Sequence, residues 1–204
     1  MDNDYSGEDA LVDQTRDMIK ALNHMRQIAG GLDQIVDENL PYQIADIVKF
    51  HSKGAAAAVG SAWIPGAGGA AAILASAGFI WSMYARIGSE INLPMSENIL
   101  KTLGSGVATN LASGMAASWV MSSVFSLFPG IGSIGASVVM GGTCYALTLA
   151  SGYVYLKIMT ALFISGVDPT KMSEQELNNM AKNIANDSDV KDVMNTAKQA
   201  YKPK

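Results

Sequence analysis

The residues Gly130-Ile131-Gly132-Ser133-Ile134-Gly135 have the spacing of a dinucleotide-binding turn, and Gly66 to Ala71 have its G/A variant. In that chemistry the glycines let backbone approach a pyrophosphate where a strand passes into a helix. Here a proline precedes each first glycine, no strand–helix–strand alternation flanks either motif, and no acid lies about 20 residues beyond Gly135. Both motifs therefore read as tips of helical hairpins. Ser52-Lys53-Gly54 lacks the upstream glycines of a phosphate loop. Cys144 is the one cysteine and His24 and His51 are the two histidines, which excludes a disulfide framework and leaves no zinc ligand set. Cys144 lies in an apolar stretch and reads as a packing residue. His51, at the edge of that region, is either a packed side chain or a pH-sensing one. Arg86, Glu90, Glu97 and Lys101 are either a local ion-pair cluster between the hairpins or solvated interfacial charges. A net charge of −4 argues against a protein that neutralises nucleic-acid phosphates. No catalytic, metal or cofactor-binding set emerges, and a non-enzymatic role is expected.

The elements that position these residues follow from where charge is missing. Residues 1–53 carry ten acids and five bases, and residues 168–204 carry six of each. The 114 residues between hold five charges: Arg86, Glu90, Glu97, Lys101 and Lys157. Uncharged apolar runs beyond about 18 residues mark membrane-embedded helices, and residues 54–85 and 102–156 are two such runs. A buried core rich in Ala, Gly and Ser is the competing reading, consistent with a mean hydropathy of only +0.19. An acidic first ten residues with no apolar segment after them predicts no secretory signal and a cytoplasmic start.

Three regions are expected: an acidic amphipathic helical region over 1–53, an apolar Gly/Ala-rich two-hairpin domain over 54–167, and polar helices over 168–204. The fold class is all-α, a glycine-rich double helical hairpin flanked by amphipathic helices and embedded in a membrane. In the first region Leu11, Thr15, Met18, Leu22, Met25, Ala29, Leu32 and Val36 repeat with spacing 4-3-4-3, a coiled-coil-like seam. It serves either packing within the chain or a homo-oligomer, with Leu11, Met18, Leu22 and Met25 as the oligomer candidates. Gly30-Gly31 is expected to break it into two helices. Residues 42–53 form the next helix, and residues 54–64 and 70–87 are the arms of hairpin one around Pro65, Gly66 and Gly68. A helix starts near Ser96-Glu97, and residues 102–128 and 133–164 are the arms of hairpin two around Pro129, Gly130 and Gly132. A 64-residue shift superposes Pro65 on Pro129, Gly78 on Gly142 and Gly88 on Gly152, suggesting a duplication. Ser173 with Glu176 has the form of a capping box, followed by helices expected to dock on the amino-terminal ones.

Both tips are uncharged, so two hairpins dipping from one side keep every Lys and Arg on that side. Residues 54–64 rise only about 16 Å, so hairpin one is either re-entrant or spans by sinking part of the preceding helix, whereas the arms of hairpin two can each cross about 30 Å of hydrocarbon. Seventeen of the 20 glycines lie in residues 54–167. Gly106, Gly114, Gly135, Gly141 and Gly142 are the expected helix-packing positions, because small faces drive association in lipid. Trp63, Trp81, Trp119, Tyr84, Tyr145, Tyr153 and Tyr155 are either interface anchors or core residues.

At its Pro-Gly motifs the chain resembles a bacterial family of GTPase-associated membrane domains, the YcjF-like kind. The resemblance covers about residues 50–160. It rests on a small-residue helix ending in Ile64-Pro65, an aromatic helix over 79–87, a polar segment over 88–97, the hairpin Pro129-Gly130-Ile131-Gly132-Ser133, and Tyr145-Ala146-Leu147 on the return helix. It implies a membrane-anchoring or membrane-remodelling accessory beside a GTPase, in the bacterial inner membrane with charged regions facing the cytoplasm. The expected partners are the lipid bilayer, further copies of the chain and that GTPase, and the expected role is scaffold, anchor or self-assembling subunit. The alternatives are a pore former stored as a soluble helical bundle and a soluble structural oligomer.

Overall fold

The computed structural model describes residues 5–62, 68–93, 96–97, 100–101, 103–104, 107, 133–168, 171–184, 195–196 and 199. Among these residues the regular structure is entirely helical. Five helices are α1 (Tyr5–Asn39), α2 (Tyr42–Ala62), α3 (Gly68–Glu90), α4 (Ser133–Ile164) and α5 (Glu174–Ile184). Residues 97, 100, 101, 103, 104 and 107 are helical as well, and the Leu100 N–H donates to the Ser96 carbonyl as a helix start there requires.

α1 runs unbroken through Gly30-Gly31, contrary to the expected break. Each glycine costs a helix interior about 1 kcal/mol relative to Ala. Burial of Ile28 on one side and Leu32, Ile35 and Val36 on the other outweighs that cost. The Asn39 side-chain amide donates to the Ile35 carbonyl and closes the helix end, and Pro41 offers its carbonyl to the Ile44 and Ala45 N–H groups to open α2. A connection of only Leu40 and Pro41 turns α2 back along α1, with Lys49 paired to Asp37 and 3.7 Å from Asp33. α2 in turn passes without interruption from its charged start into the alanine run at residues 54–62.

α3 is antiparallel to α2: His51 faces Ser82, and Gly54 lies against the Phe79 ring. Its end is a Schellman turn. Asn92 takes φ 55°, the Leu93 N–H reaches the Gly88 carbonyl at 2.8 Å, and the Asn92 N–H reaches Ser89. A Cβ at Gly88 would lie 2.9 Å from the Leu93 carbonyl oxygen, so glycine is what lets this turn close. α4 ends the same way at Gly166, with φ 71° and the Val167 N–H on the Leu162 carbonyl. The capping box of α5 forms: Glu176 accepts from the Ser173 N–H at 2.9 Å, and its own N–H donates to Ser173 Oγ at 3.3 Å.

The core gathers around α4, which packs against α1, α2 and α3, and α5 also seats on it. For α5 that seating corrects the expectation: Leu177 is buried, and among the described residues α4 rather than an amino-terminal helix is the main surface α5 packs on, while the last expected helix, over 190–197, lies largely outside them.

Candidate functional site

α4 contains the stretch Gly141–Ile164, the one helix among the described residues long and apolar enough to cross a membrane. Its most apolar window is 61% buried inside the molecule. From Thr143 to Tyr155 nearly every position is covered, whichever way it points around the helix. An all-round apolar helix is what either a bilayer or a protein interior requires. Here the cover is protein. Leu32 and Val36 from α1, Val48 from α2, and Met83 and Tyr84 from α3 belong to the same buried cluster as Leu147, Val154 and Tyr155.

Small residues set how closely the helices approach. A Cβ on Gly152 would fall 2.8 Å from both Val48 methyls and 3.2 Å from the Met83 sulfur. At Gly141 it would fall 3.2 Å from the Ala56 carbonyl oxygen. The expected packing role is thus realised at Gly141, against backbone, and more tightly at Gly152. Gly142 is half-buried in the next position, and Gly135 lies in the first turn of α4. Gly106, Gly114, Pro65, Gly66, Pro129, Gly130 and Gly132 lie outside the described residues, whereas Gly68 opens α3 instead of sitting in a turn. The proposed repeat gives no shared role: Gly88 makes room for a loop, Gly152 for Val48, and Gly78 meets nothing.

Polar groups fasten the cover to α4. The Tyr145 hydroxyl donates to Asp33 Oδ1 at 2.8 Å, and Lys49 joins Asp33 and Asp37 beside it, so α1, α2 and α4 meet in one charged node. The Tyr84 hydroxyl lies 2.6 Å from Ser151 Oγ and donates to the Ser151 carbonyl at 3.1 Å, while its ring stacks on Tyr155 at 4.0 Å. Tyr84 and Tyr155 are therefore core residues, and Trp63 and Trp119 lie outside the described residues. The Tyr155 hydroxyl, Thr148 Oγ1 and Trp81 Nε1 are buried without hydrogen-bond partners, each costing about 1–3 kcal/mol in this arrangement.

His51 is 4% exposed between α2 and α3, its Nδ1 2.8 Å from the Ile47 carbonyl and its Nε2 3.4 Å from Ser82 Oγ. Burial pushes its pKa below the ordinary value; the Ile47 bond opposes this and the Arg86 charge adds to it. The candidate four-residue ion-pair cluster resolves differently. Lys101 pairs with Glu97 one turn earlier and lies 5.2 Å from the Trp81 ring, while Arg86 sits 5.4 Å over Phe50. Cys144 is buried and hydrogen-bonded to Ser76, which leaves it as packing. Among the described residues no three His, Cys, Asp or Glu side chains converge as metal ligands.

The seam of α1 divides. Ala29, Leu32 and Val36 face the chain's own core, whereas Thr15 is exposed. Leu11, Met18, Leu22 and Met25 lie on α1, with their side chains outside the described residues. By register from the Leu40-Pro41 turn, Ile28 stands level with the alanine run of α2, and the first four turns of α1 run past Ala62. Tyr145 on Asp33 gives the same register against α4, so those turns also run past Ser133. Arg16, Lys20 and Arg26 thereby lie towards the uncharged end of the bundle, not on one side with Lys49 and Arg86 as the hairpin topology expected. The Asp33–Tyr145–Lys49 node escaped sequence reading; its trace is the Asp33/Asp37 pair at i, i+4 beside the seam. Compared with known proteins, the chain matches no family model, no curated protein and no solved structure.

Proposed function

We propose that this is a non-enzymatic, membrane-acting helical protein that keeps α4 enclosed in a polar-jacketed bundle and delivers it to a bilayer. One observation carries the reading. The described helix competent to cross a membrane is wrapped by α1 and α2, whose outer faces carry charge, and the first turns of α1 carry theirs past Ala62 and Ser133. The charged side chains on α1 and α2 cannot follow α4 into hydrocarbon, so the jacket must swing away before α4 can enter lipid.

The test is flotation with anionic liposomes. The unmodified chain is expected to float with the vesicles and resist carbonate. A chain with Asp33→Cys and Tyr145→Cys joined by a bifunctional maleimide, which ties α1 to α4, is expected to stay at the bottom. Failure of the unmodified chain to float overturns the reading.

A second reading, a constitutive scaffold of the bacterial inner membrane with its charged regions towards the cytoplasm and a GTPase beside it, follows from the resemblance. The close approaches at Gly141 and Gly152 favour it, because small-residue faces associate helices in lipid. Recovery of the protein only in the carbonate-resistant membrane fraction of cells would select it.

A further inference from the structure

We infer that the first half of α1 is a docking surface for a second copy of this chain, paired antiparallel through residues 8–26. Val12 and Ile19 are 55% and 51% exposed on a helix whose second half is already covered by its own core. They are seven residues apart, so they share one face. In the 4-3 seam, Leu11, Met18 and Met25 take d positions and Thr15 and Leu22 take a positions. Val12 and Ile19 then both fall at e, where a lone helix leaves an apolar residue in water.

Direction follows from two independent features. In a parallel pair an e residue faces a g residue of its partner, which would set Ile19 against Gln14. In an antiparallel pair e faces e, and the register that superposes Leu11 on Leu22 also brings Val12 of each copy against Ile19 of the other. The charges agree. Residues 5–17 hold four acids and one base, while residues 18–27 hold Lys20 and Arg26 and no acid. Antiparallel pairing sets the acidic half of each helix on the basic half of its partner, and parallel pairing sets like on like. The pairing does not depend on any bilayer.

Single-cysteine variants decide it in the full-length chain, with buried Cys144 left in place. Leu11→Cys and Leu22→Cys proteins are mixed and oxidised under native conditions. Disulfides joining Leu11→Cys chains to Leu22→Cys chains are expected, in excess of either self-pair. Self-pairs of both variants would mean a parallel assembly and overturn the proposal. Because these substitutions touch the seam, the exposed pair supplies a second readout. Val12→Lys with Ile19→Lys should halve the mass measured by light scattering, from two chains to one. A monomeric unmodified chain at all concentrations also overturns it. Both readouts are taken without lipid, so they fail or succeed separately from flotation.

Discussion

The two halves of α1 carry one continuous 4-3 pattern and meet different surroundings. In the second half Ile28, Leu32, Ile35 and Val36 are buried against α4 and α2; in the first, Val12 and Ile19 stand in water beside Asp9, Arg16 and Lys20. Nothing in the spacing distinguishes them. What separates them among the described residues is length: α1 has 35 residues and its neighbour α2 has 21, so α2 runs beside only part of α1. An amphipathic stripe states that a face will be covered, and tertiary geometry decides by what.

Substitutions should expose this difference. Leu32→Ala in the covered half should cost about 2–5 kcal/mol, because Leu32 is fully buried and its removal leaves a cavity facing α4. Urea unfolding reads that loss as a lower midpoint. On α4 itself, Gly152→Ala should cost about 1–3 kcal/mol: Val48 is buried and β-branched, so its methyls cannot easily retreat from a new Cβ 2.8 Å away. Tyr145→Phe should cost about 1 kcal/mol by removing the bond to Asp33, while the Lys49 contacts to that acid survive. Val12→Ala should change monomer stability by less than about 0.5 kcal/mol, since that side chain lies mostly in water. A large loss there would show that the first half is also covered within the chain.

The pH dependence sharpens the same division between covered and exposed groups. Buried His51 holds its proton less tightly folded than unfolded, so the unfolded chain binds more protons as pH falls below about 6.5. Its contribution to stability is therefore present above that pH and lost as pH falls towards the folded-state value. His51→Gln should flatten the stability profile between pH 5 and 7, a window set by the ordinary histidine value.

Much of the helical plan was legible because it rests on local chemistry. The bounds Ser133–Ile164 follow from a proline-glycine break and Gly166, and Ser173-x-x-Glu176 closes its box as its spacing requires. The partners of α4 were not legible. A helix surrounded by neighbours loses its polar face just as one in lipid does, so residues 141–164 carry one composition for two environments. The Tyr145–Asp33 contact joins residues 112 apart and leaves no local mark. Continuity through Gly30-Gly31 was hidden for the same reason, since burial on both sides, not propensity, holds that helix together.

The central claim is that α4 is enclosed by the chain's own polar helices, and thiol labelling of the chain made in a membrane-free, detergent-free synthesis tests it most directly. The account predicts a monodisperse, helical protein in lipid-free buffer whose Cys144 resists a water-soluble maleimide until the chain is unfolded. A chain that stays dispersed only in detergent, or whose Cys144 reacts while it is folded, would contradict it.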